Sequence, residues 1–68
     1  MNQRRRAEVV VVECYGEQRV YRSRKVAMDF FLEAMMNSDG AEHERYETIY
    51  FQLAQGKTDV SDRIDWRG

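Results

Sequence analysis

The stretch AEVVVVECYGEQRVYRS, residues 7–23, decides how this chain starts its fold. Four consecutive valines are stiff at χ1 and suit a pleated strand, and the run is too short for a helix of ordinary length. Tyr15 and Gly16 follow, and Gly16 can take the positive φ that a tight hairpin turn demands. Residues 18–23 then mix polar side chains with Val20 and Tyr21 and read as the returning strand. The segment therefore predicts a β-hairpin. Successive strand side chains point to opposite faces, so the valines put apolar surface on both sides of the sheet. One face can rest on helices, and the other also needs cover.

Ser23 stands where a helix N-cap belongs. From Arg24 to about Met36, apolar residues recur as Val26, Ala27, Phe30, Phe31, Ala34 and Met35, the three-and-four spacing of a helix face. Met28, Leu32 and Met36 lie off that stripe, which predicts a helix covered on two sides. Asp39 opens a second helix with Glu42 three residues on, the pattern of a capping box. Acidic residues there also suit the positive end of the helix dipole. Tyr46, Ile49, Tyr50 and Leu53 make its buried stripe, with Ala54 beside it and Phe51 away from it. Gly56 ends the helix as a C′ residue. In the tail, Val60 and Ile64 are four apart and fit a short helical turn. Trp66 loses a large burial gain if its ring stays wet, so the tail either folds back on the hairpin or carries Trp66 into an interface.

These elements predict an α+β fold, a β-hairpin followed by two antiparallel helices in ββαα order. They divide the chain into a mobile basic arm (1–6), one domain (7–57) and a C-terminal tail (58–68) that can pack on it. A 68-residue chain buries only roughly 60% of the surface it exposes when unfolded. A core of this size rarely contributes more than about 3–5 kcal/mol net. Small domains gain stability from disulfides, metals or association. The single cysteine, Cys14, excludes an internal disulfide, and one cysteine with one histidine cannot furnish a Cys/His zinc site. Association remains, and a homodimer or an obligate partner is expected.

With 43% hydrophobic and 34% charged residues, the chain reads as soluble and globular. No apolar run approaches the roughly 20 residues of a membrane helix, and the valine run after Arg4–Arg6 is too short for a signal peptide. A cytoplasmic location agrees with an unpaired thiol. Net charge is only −1, which projects no strong field toward nucleic acid. Residues 1–36 carry seven basic against five acidic side chains, and residues 37–68 four against seven.

Few residues could carry chemistry. HERYE, residues 43–47, resembles the start of a zinc-protease HExxH motif, but Glu47 stands where the second histidine must be. His43 falls at the margin of the second helix's stripe, and its pairing with Glu47 reads as a surface contact. Cys14 with His43 is the one conceivable thiol dyad, yet Cys14 ends a valine strand, where a buried, inert thiol is expected. The four glycines, at 16, 40, 56 and 68, form no phosphate loop. No catalytic residue, cofactor or metal is expected.

The stretch YRSRKVAMDFFLEAMMNSDGAEHERYETIYFQLAQGKTDVSD, residues 21–62, resembles a group of small uncharacterised proteins of phages and mobile elements of Gram-positive gut bacteria. DFFLEAMMNSDG, ERYETIYFQL and the closing GKT…SD carry the resemblance, which covers about residues 15–62. Members of the group often have threonine after the tyrosine of the second helix, and cysteine near MM or after GKT. This chain has Glu47, Asn37 and Val60 in those regions, so no thiol or metal role carries over. The resemblance implies a stoichiometric partner of a host protein, of the kind that includes inhibitors of bacterial immunity such as anti-CRISPR proteins. The function expected is non-enzymatic inhibition of a host defence nuclease complex. Contact would run through Asp39, Glu42, Glu44 and Glu47, whose charges could imitate phosphates, and through Tyr50, Phe51 and Trp66. The alternative is a nucleic-acid-binding regulator using Arg4, Arg5, Arg6, Arg19, Arg22 and Arg24.

Overall fold

The valine run forms the central strand of a three-stranded sheet. The computed structural model describes residues 9–63, arranged as β1 (Val10–Cys14), β2 (Glu17–Tyr21), α1 (Arg24–Met36), α2 (Gly40–Ala54) and β3 (Asp59–Ser61). The sheet order is β2-β1-β3. β1 pairs antiparallel with β2, Val12 opposite Arg19 and Cys14 opposite Glu17. Tyr15 and Gly16 make the turn with φ of 57° and 77°. Two consecutive positive φ values match the twist of a two-residue hairpin, and Gly16 takes its share without steric cost.

The expected ββαα order is present, and a third strand extends it. β3 runs parallel to β1, with Val12 opposite Val60, so the two helices form the crossover that a parallel pair requires. The helical turn expected around Val60 is therefore wrong. Val60 is 2% exposed and seals the sheet's inner face, a burial that one solvent-facing turn could not provide. The arm with Arg4–Arg6, and Ile64 and Trp66 of the tail, lie outside the described residues.

Val10, Val12, Ala27, Phe31, Ile49, Leu53 and Val60 make the core among the described residues. Tyr21, Met28, Tyr46 and Tyr50 pack around it. Ser23 caps α1 as expected, its hydroxyl accepting from the Val26 N–H at 3.1 Å. Asp39 occupies the N-cap position of α2, but its side chain makes no capping bond, so the expected capping box is absent. Glu42 is engaged elsewhere. Nor is α1 covered on two sides by the described residues. Val26, Phe30, Leu32 and Met36 are all exposed, Met36 at 73%, because α1 has only α2 and the edge of β2 to lean on.

Candidate binding surface

A polar clasp joins the hairpin turn, the start of α2 and the end of β3. The Tyr15 hydroxyl donates to Glu42 Oε2 at 2.8 Å, and the Tyr46 hydroxyl donates to the same oxygen at 3.3 Å. One turn along α2, the Arg45 guanidinium lies 4.1 Å from the centroid of the Tyr15 ring. Arg45 also forms an ion pair with Asp62. The Asp62 carboxylate accepts the Tyr15 N–H at 3.0 Å, and its backbone N–H donates to the Glu13 carbonyl at 3.1 Å. These contacts hold Tyr15 in a left-handed conformation that costs a residue with a Cβ about 1–2 kcal/mol.

The clasp sets the electrostatics around it. Burial, with the negative charge of Glu42 next, pushes the Tyr46 phenol up to about 12. Its hydrogen bond to Glu42 raises Tyr15. Burial, then Asp62, pushes the Cys14 thiol above its ordinary value, against an opposing pull from Arg45 and Arg19. A thiol held protonated is a poor nucleophile, which fits the inert role expected for Cys14. His43 places Nδ1 2.9 Å from the Met35 carbonyl and so ties α2 to the last turn of α1. The side chain singled out in HERYE is a helix-to-helix staple. Among the described residues no cluster of His, Cys, Asp or Glu could hold a metal ion. No helix there is long and apolar enough to cross a membrane.

The residues expected to meet a partner fall into two groups. Glu42, exposed, belongs to the clasp, and Tyr50, half-buried, packs against the core. Glu44, Glu47 and Phe51 share the outer face of α2 at spacings of three and four. Phe51 is 53% exposed. Neither glutamate forms an ion pair among the described residues. Asp39 is exposed at the mouth of the same helix. Phe51 also lines an open groove of about 630 Å³ with Thr48, Gln52, Asp59, Ser61 and Arg63, between α2 and β3. Sequence reasoning found Phe51 because it breaks the α2 stripe; it missed the groove because β3 was unforeseen.

Of the basic residues named above, Arg4, Arg5 and Arg6 lie outside the described residues. Arg19 and Arg22 are exposed on the hairpin. Arg24 is instead a structural residue, donating to the Leu53 carbonyl at 3.1 Å and the Lys57 carbonyl at 3.2 Å. It ties the start of α1 to the Leu53 carbonyl, which also accepts the Gly56 N–H, and to the loop after α2. No family model, curated protein sequence or solved structure matches the chain.

Proposed function

We propose that this chain is a non-enzymatic interaction protein that inhibits a host defence nuclease complex, of the CRISPR type, by stoichiometric binding through the outer face of α2. The observation that carries the reading is Phe51, a half-exposed aromatic with Glu44 and Glu47 on the same face and, among the described residues, no basic side chain pairing with either. Aromatic anchors of this kind dominate interface energetics when a partner pocket desolvates them. Two unneutralised carboxylates beside the anchor select a basic partner surface and steer the encounter. The nucleic-acid channel of a nuclease is such a surface, and the resemblance to phage and mobile-element proteins supplies the biological setting.

The test adds purified protein to a CRISPR nuclease complex from a Gram-positive host and follows DNA cleavage. Inhibition should saturate near equal stoichiometry and weaken as salt rises. Phe51→Ala should reduce affinity about thirty-fold, the loss expected of an anchor residue. Glu44→Lys with Glu47→Lys should abolish inhibition. Failure to inhibit any such complex, or inhibition indifferent to these substitutions, would overturn the proposal.

A further inference from the structure

The two edges of the sheet are treated differently. Val11 donates to the Thr58 carbonyl at 2.9 Å and Glu13 accepts from the Asp62 N–H, so the odd-numbered residues of β1 turn their amides toward β3. Val10, Val12 and Cys14 then turn theirs toward β2, where Tyr21, Arg19 and Glu17 meet them. Gln18 and Val20 are left with N–H and C=O groups pointing away from the sheet. The opposite edge is short and partly capped: β3 has three residues, and the Gln52 side chain donates to the Ser61 carbonyl at 2.8 Å. Nothing described closes β2. All its residues but Tyr21 are exposed, Val20 at 67%. An open strand of this kind is a template for strand pairing.

Its charges choose the occupant. We infer that β2 pairs antiparallel with β2 of a second copy about a two-fold axis at Gln18, joining two three-stranded sheets into one of six strands. Outward amides meet on both strands only when the axis falls on a residue of β2 itself. An axis at Arg19 sets Arg19 against its own copy. An axis at Val20 sets Glu17 against Ser23 and leaves its charge unanswered. An axis at Gln18 sets each Glu17 against the partner copy's Arg19, twice per dimer. Those residues form a pair without mutual backbone bonds, where opposing side chains approach closest. Opposite charges placed directly across strands stabilise pairing, and like charges oppose it. Neither Glu17 nor Arg19 has an ion pair within the chain among the described residues. The C2 arrangement is self-complementary and closes, so it ends at a dimer. It uses the β2 edge rather than the outer face of α2, with Gln18 also lining the groove beside Phe51, and it does not rest on the function proposed above.

Sedimentation of the full chain across a wide concentration range tests this. A reversible dimer is expected. E17R alone and R19E alone should each weaken it roughly ten-fold, because each creates two like-charged pairs. The double variant E17R/R19E should restore wild-type affinity. Hydrogen exchange on the unmodified chain adds a readout free of folding defects: the Gln18 amide should gain protection as concentration rises. A monomer at every concentration, a dimer indifferent to the single variants, or a double variant as weak as the singles would overturn the inference. So would a dimer dissolved by Phe51→Glu, which would place the contact on α2.

Discussion

Replacing Asp62 with alanine tests whether the clasp is what fastens β3 and the hairpin turn to α2. The Asp62 side chain is 6% exposed and receives the Tyr15 N–H at 3.0 Å as well as the Arg45 guanidinium. A hydrogen bond to a charged, buried acceptor contributes about 1.5–3 kcal/mol. Arg45 is 34% exposed, so water can replace much of its share. The expected loss is about 1.5–3 kcal/mol, a large fraction of the about 3–5 kcal/mol available to a core of this size. In thermal denaturation followed by circular dichroism, that loss lowers Tm by about 10–20 °C at the sensitivity of a domain this small. Asp62→Asn keeps an acceptor for Tyr15 and should lose only about half as much. A second readout, taken under conditions where the variant is folded, is the reactivity of the Cys14 thiol. Asp62 raises the Cys14 thiol and Arg45 lowers it, so removing Asp62 eliminates one influence and frees the other. Both act in the same direction, and alkylation of Cys14 at neutral pH should accelerate. A variant as stable as the parent within about 0.5 kcal/mol, or a thiol that reacts more slowly, would refute this account of the clasp.

Leu53 is fully buried between the helices and the sheet, so Leu53→Ala should cost about 2–5 kcal/mol and leave the chain largely unfolded at ambient temperature in urea titrations. Tyr46 gives a pH dependence of definite sign. The folded state holds its proton up to about 12 while the unfolded chain releases it near the ordinary tyrosine value of about 10. The unfolded state therefore binds fewer protons in that window, and stability should be level below pH 10 and fall as pH rises toward 12. Ultraviolet absorbance of tyrosinate would follow this, and Tyr46→Phe should flatten the decline.

The hairpin and both helices were legible in the chain because each rests on local physics. Val10–Cys14 is β-branched, Gly16 accepts a positive φ, Ser23 caps α1, and the α2 stripe repeats every three to four residues. Phe51 declared itself by standing outside that stripe. The apolar surplus was legible in part: Leu32, Met36 and Phe51, all off the helix stripes, stay exposed among the described residues, whereas Met28 packs on the core and Phe30, placed on the α1 stripe, is exposed. What the tertiary structure alone decided are the roles that depend on residues far apart in sequence. Val60 becomes a strand only because β1 offers it a parallel edge and the helices have returned the chain to that edge. Glu42 looked like half of a capping box, yet Tyr15, 27 positions earlier, claims its carboxylate. Arg24 looked available to phosphates, yet it donates to carbonyls 29 and 33 residues away. Propensity and periodicity are short-range signals; pairing of polar groups across the fold is set by where the packed core brings them together.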